Sequence, residues 1–205
     1  MKTILTLLFT LMTISVIRAE GYKVGDKASD FKLKNVDGKY VSLSDFPGAK
    51  GFVIIFTCNH CPFAKAYQDR IIEIDKLYKP KGYPVIAINP NDPQIVPEDS
   101  FEGMVQRSKE KGYTFPYLFD EKQEIYKIYG ATRTPHVFLV QKDKTKGLEV
   151  KYIGAIDDNY QDPAAVTHKY LADAIDALIA DKLPDPDFTK AVGCSIKDNS
   201  VAKTQ

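Results

Sequence analysis

Gly51-Phe52-Val53-Ile54-Ile55-Phe56-Thr57-Cys58-Asn59-His60-Cys61-Pro62 is the stretch that decides the fold. Its first half is rich in aromatic and β-branched residues and reads as a buried strand. Beyond the two cysteines, Phe63, Tyr67, Ile71, Ile74 and Leu77 recur at three- and four-residue steps, while Lys65, Asp69, Glu73 and Lys76 fall on the other side. That spacing predicts an amphipathic helix, ended near Tyr78 by Pro80 and Gly82. The thiols therefore sit where strand meets helix. Unpaired N–H groups and the positive end of the helix dipole at such a junction favour a thiolate and lower its pKa. Pro62 has no N–H to lose in a first helical turn, so it pins the helix start beside the sulfurs.

Working outward, residues 84–89 form a second apolar run, and strand, helix, strand implies a parallel, right-handed unit. Residues 89–97 carry three prolines and read as an exposed connector. Helical texture resumes over 98–111, a short extended run occupies 115–119, and a short helix is expected over 121–129. Pro135 introduces a strand over 136–140, with a hairpin partner at 148–153. Pro163 and the Ala-, Leu- and Ile-rich spacing through Ala180 predict a last helix of about five turns. The tail from Pro184 is polar and poorly periodic. Upstream, Asp37-Gly38 marks a hairpin turn before the alternating strand 40–43. The pattern as a whole is α/β.

The chain has 205 residues, with 28 Lys and Arg against 27 Asp and Glu. Charge so balanced leaves no footprint for nucleic acid or an anionic bilayer, so protein or small-molecule partners are expected. Met1-Lys2-Thr3, an uncharged run over 4–17 and Arg18-Ala19-Glu20 have the layout of a secretory signal peptide cleaved after Ala19. The alternative is an uncleaved anchor, for which the run falls short of the ~20 residues a spanning helix needs. The expected organisation is a signal peptide over 1–19, one domain over 20–183, and a tail over 184–205 that carries Cys194. The expected location is periplasmic or secreted, with no stable membrane association after cleavage. With three cysteines, pairing Cys58 with Cys61 leaves Cys194 over. A disulfide across so short a loop restrains the unfolded chain little, so redox chemistry explains the spacing better than a structural staple.

Gly25-Asp26-Lys27-Ala28-Ser29-Asp30-Phe31, the motif from Cys58 to Pro62, and the Thr134-Pro135 step before a strand together resemble an exported thioredoxin-like redoxin of the AhpC/TSA superfamily. The resemblance spans residues 25–180. It implies a thioredoxin-like fold, a central mixed sheet flanked by helices, here with an N-terminal β-hairpin extension. It also implies a cis Pro135 facing the dithiol, with Cys58 as nucleophile and Cys61 as resolving cysteine. His60, just before the second cysteine, resembles the oxidising DsbA-type dithiol, where it stabilises the reduced form. The implied activity is thiol-disulfide exchange with protein or small-molecule thiols and disulfides and a redox partner protein, with no organic cofactor. Cys194 is then either an additional resolving cysteine or a free tail residue.

Two departures stand out. The tryptophan that usually precedes the dithiol is replaced by Thr57. A peroxiredoxin-like thiol peroxidase reading would make Cys61-Pro62 the peroxidatic pair, but Cys58 stands where that family has threonine and Pro135 where it has its arginine, leaving Arg133 as a substitute. The non-enzyme alternative is a copper-binding carrier using Cys58, Cys61 and His136, two thiolates and an imidazole suited to a soft metal.

Overall fold

Every residue of the apolar run 51–56 is buried, and the rest of the chain is laid out around it. The computed structural model describes residues 21–143, 145 and 147–198; the signal-peptide expectation lies outside them. Its strands are β1 (Lys27–Ala28), β2 (Lys32–Asn35), β3 (Tyr40–Ser42), β4 (Gly51–Phe56), β5 (Val85–Asn89), β6 (Tyr117–Phe119), β7 (Arg133–Thr134), β8 (His136–Asp143), β9 (Gly147–Gly154) and β10 (Cys194–Ser195). Its helices are α1 (Pro62–Tyr78), α2 (Phe101–Lys111), α3 (Ile125–Tyr129) and α4 (Tyr170–Ile179). Among the described residues the strands form an eight-stranded sheet in the order β1-β9-β8-β4-β5-β6-β2-β3 and a two-stranded β10-β7 ribbon.

The unit β4-α1-β5 is parallel, as expected, and β6 continues the parallel run beside β5. On the other side β8 lies antiparallel to β4, with Phe56 opposite His136. The expected N-terminal hairpin is β2 and β3, and it extends the sheet beyond β6. Alternation along β4 divides the core. Val53 and Ile55 face Tyr67 and Ile71 of α1 and Leu171 and Ile175 of α4. Phe52, Ile54 and Phe56 face Tyr126 and Tyr129 of α3 and Phe31 of the N-terminal segment. Both faces are covered, which is why the run is apolar throughout rather than alternating.

Two expectations need correction. The buried stripe of α1 runs Ala64, Tyr67, Ile71, Ile74 and Tyr78, while Leu77 is 53% exposed. Tyr78 takes the inward place because its hydroxyl reaches the Asp176 carboxylate of α4 at 3.0 Å. The last helix starts at Tyr170, not at Pro163. Pro163–Ala165 make only a 3-10 turn capped by Asp162, and the Asp158 carboxylate holds the Thr167 N–H, which competes with helix for that backbone. The polar tail is folded against the domain. Ile153 N–H donates to the Asp187 carbonyl, Thr189 N–H donates to the Ile153 carbonyl, and β10 pairs with β7. No helix of the described residues is long and apolar enough to cross a membrane.

Candidate active site

Pro62 opens α1 and Cys61 is its N-cap residue, so the dithiol stands at the helix start, as its spacing requires. The Thr134-Pro135 peptide is cis and lies against both cysteines. Thr134 is their shared neighbour: its hydroxyl is 3.2 Å from Cys58 Sγ, and its carbonyl oxygen 3.3 Å from Cys61 Sγ. In a thiol state Cys61 can donate to that carbonyl; in a disulfide the approach is a contact only.

The pairing differs from the expected one. Cys61 is bonded to Cys194, with Cα atoms 6.1 Å apart, and Cys58 is a free thiol. Register explains how a residue 133 positions away arrives there: Cys194 sits opposite Thr134 in the β7-β10 ribbon, and Ser195 opposite Arg133. Gly193 permits this approach, because a Cβ there would meet the Thr134 carbonyl carbon at 2.7 Å.

Cys58 also departs from the accessible, ionised sulfur that its position suggests. It is 2% exposed, and its pKa is pushed up from 9.0 to about 11, first by burial and then by the Asp99 carboxylate. The Thr134 hydroxyl and the backbone N–H groups of Cys61 and His60 act in the opposite direction. Those N–H groups act in the direction expected beside a helix start, but burial and a carboxylate outweigh them, so the expected lowering is reversed.

Asp99 is the residue that sequence reasoning missed. It is fully buried in the 3-10 turn Pro97–Asp99 and accepts from the backbone N–H of Asn59 at 2.7 Å and of His60 at 3.2 Å. It also accepts from His60 Nδ1 at 2.6 Å and from Asn91 Nδ2 at 2.7 Å. The His60 nitrogen that binds Asp99 lies 3.6 Å from Cys58 Sγ. His60 thus joins the nucleophile candidate to a carboxylate rather than standing free beside the dithiol. Asn59 is fixed too, donating to the Glu98 carbonyl and accepting from the Tyr117 hydroxyl. The segment expected to be an exposed connector instead buries Asn89 and Asn91, which support Asp99 from behind.

A match to the AhpC/TSA family model covers residues 24–146, more than half of the chain. The chain belongs to the AhpC/TSA family. Thiol-disulfide oxidoreductase ResA of Bacillus thuringiensis subsp. konkukian is 29% identical over 143 residues, covering 70% of this chain and 78% of that relative. The crystal structure of an uncharacterized conserved protein from Geobacillus kaustophilus is 38% identical, with a TM-score of 0.78 over 91% of this chain and 98% of that one. A candidate thiol:disulfide interchange protein DsbE from Chlorobium tepidum is 26% identical, with a TM-score of 0.51 over 62% of this chain and 82% of its own. The fold is accordingly thioredoxin-like.

His136 and Arg133, the residues that the two alternative readings add to the cysteines, are engaged with other partners. His136 is buried against Phe138, and its Nδ1 faces the Thr132 N–H at 3.3 Å. Burial and then Arg133 push its pKa down to about 4. It is not gathered with Cys58 and Cys61; the metal-capable grouping among the described residues is Cys58, His60 and Asp99. The Arg133 guanidinium, needed for a peroxidase, is turned to the Gly193 carbonyl at 2.9 Å.

Proposed function

We propose that this AhpC/TSA protein is an extracytoplasmic thiol-disulfide oxidoreductase in which Cys58 is the attacking sulfur and Cys61 the resolving one. The observation that carries the reading is the meeting of both sulfurs at Thr134, beside the cis Thr134-Pro135 peptide and at the start of α1. Relatives named as thiol-disulfide oxidoreductases support the chemistry. The signal-peptide layout of residues 1–19 supports a periplasmic or secreted location.

In the reduced protein the Cys58 thiolate attacks one sulfur of a substrate disulfide. A Cys58–substrate disulfide forms, and the other substrate sulfur leaves as a thiolate that takes up a proton. Cys61 then attacks Cys58 Sγ, the first substrate sulfur leaves, and two electrons have passed to the substrate while Cys58 and Cys61 become a disulfide. The Thr134 hydroxyl and the N–H groups of His60 and Cys61 stabilise the sulfur while it is charged. A dithiol partner protein closes the cycle by reducing the enzyme; run in reverse, the same steps oxidise a substrate dithiol.

The test is turnover of a protein disulfide, with insulin as probe, by the wild type and by Cys58→Ser and Cys61→Ser proteins. Loss of turnover in both variants is expected. Undiminished turnover in Cys58→Ser would overturn the assignment.

A further inference from the structure

Three sulfurs share one site. Cys58 and Cys61 form a buried cluster with Ala64, and Cys194 packs against it. One of the three is a free thiol standing three residues before a sulfur of an existing disulfide, and a thiol so placed is an internal partner for exchange. The segment that brings Cys194 is held by backbone and polar bonds rather than by a large apolar face. Ile196 N–H donates to the Thr132 carbonyl at 3.3 Å, and Arg133 reaches the Gly193 carbonyl. Lys197 N–H donates to Asn91 Oδ1 at 2.9 Å, and Gln123 Nε2 to the Lys197 carbonyl at 2.8 Å. Asn91 in turn donates to Asp99, so the tail is tied to the same network that seats His60 beside Cys58.

We propose that Cys194 is a third exchanging sulfur and that its segment is a latch over the dithiol: Cys58 attacks Cys61 Sγ, a Cys58–Cys61 disulfide forms, the Cys61–Cys194 bond breaks, and Cys194 leaves as a thiolate. Sulfur oxidation states balance within the chain, and no outside oxidant or reductant is consumed. The proton lost by Cys58 is matched by the one Cys194 takes up. Without its covalent anchor, β10 is held by non-covalent bonds alone, those just described together with the Asp92 N–H on the Lys197 carbonyl and the contacts of Asp198 with Tyr126 and Lys127, and the edge of β7 at Thr134 opens to solvent and substrate. The latch rests on the dithiol reading above, since it assigns to Cys58 the same attack on an internal disulfide that it makes on an external one.

Oxidised protein, quenched in acid, alkylated under denaturing conditions and digested without reduction, reports which disulfides exist. Wild-type protein is expected to yield both Cys61–Cys194 and Cys58–Cys61 peptides, Cys58→Ser only the former and Cys194→Ser only the latter. Wild-type protein holding Cys61–Cys194 alone, with every Cys58 alkylated, would make the bond a structural staple and overturn the latch. Wild-type protein holding Cys58–Cys61 alone would overturn it from the other side. Hydrogen exchange supplies a second readout: oxidised Cys194→Ser protein should lose amide protection over residues 194–197, and retained protection would contradict release. The dithiol reading fails separately, by absent disulfide turnover in Cys194→Ser protein whose Cys58–Cys61 bond does form.

Discussion

At Cys58, a hydroxyl and two backbone N–H groups favour charge while burial and the Asp99 carboxylate oppose it, and the opposition wins. The raised pKa keeps the sulfur protonated at neutral pH, so its alkylation rate should keep climbing with pH and level off only above about 11. Asp99→Asn removes one of the two opposing causes. The midpoint of the alkylation rate against pH should move down, and an unmoved or raised midpoint would show that the carboxylate does not act on the sulfur. His136 carries a second pH signature. Its folded pKa lies below 6.5, at about 4, so neutral imidazole is the folded form. Its contribution is complete above pH 6.5 and is lost as pH falls through about 4, a swing of about 3 kcal/mol at 1.36 kcal/mol per unit. His136→Asn keeps an acceptor for the Thr132 N–H and should flatten the acid limb of denaturant midpoint against pH. The nearness of Cys58, His60, Cys61 and the Thr134-Pro135 step was legible because they cluster within a motif or beside a strand start. Asp99 and Asn91 were not, because each lies in a polar stretch without periodicity and reaches the dithiol only through tertiary contacts.

Elements were legible where both faces of a run are buried and opaque where polar side chains bind backbone. β4, β5 and α1 carry apolar patterns that leave little choice, whereas the stretch before α4 is decided by Asp158 and Asp162 gripping N–H groups. The loop joining β9 to α4 is fastened to α1 by Arg70, whose guanidinium meets the Asp157 carboxylate and the Asn159 carbonyl at 2.6 Å and the Tyr160 carbonyl at 2.7 Å. Tyr67 donates to the other Asp157 oxygen at 2.8 Å, and Tyr160 lies on Phe63, next to the dithiol. Arg70→Ala leaves a buried carboxylate without its cation, so urea unfolding should register a loss of about 3 kcal/mol. Arg70→Lys should recover only part of it, since an ammonium cannot spread over three acceptors as a guanidinium does. In the β7-β10 ribbon, Gly193→Ala sets a methyl group against the Thr134 backbone. The fraction of molecules with a Cys61–Cys194 bond should fall, as counted by alkylation of Cys194.

For the whole molecule, the layered α/β plan and the thioredoxin-like order followed from the strand, helix, strand run and the Thr-Pro step. The tail's path did not, because its anchors are a disulfide partner 133 residues distant and a few polar bonds that leave no pattern in sequence. That distance has a thermodynamic consequence. Closing so long a loop restrains the unfolded chain by about 4–5 kcal/mol, far more than the short loop from Cys58 to Cys61. Oxidised wild-type protein should therefore be more stable than oxidised Cys194→Ser protein, and the gap should close in excess reductant; a gap that persists would place the effect in packing. The proposed chemistry depends on Cys58 being the sulfur that meets substrate. Incubating Cys61→Ser/Cys194→Ser protein with a disulfide-bearing substrate and mapping the adduct by non-reducing mass spectrometry tests that most directly. A covalent Cys58–substrate disulfide that accumulates and is removed by reductant is predicted, and the absence of any adduct on folded protein would contradict the account.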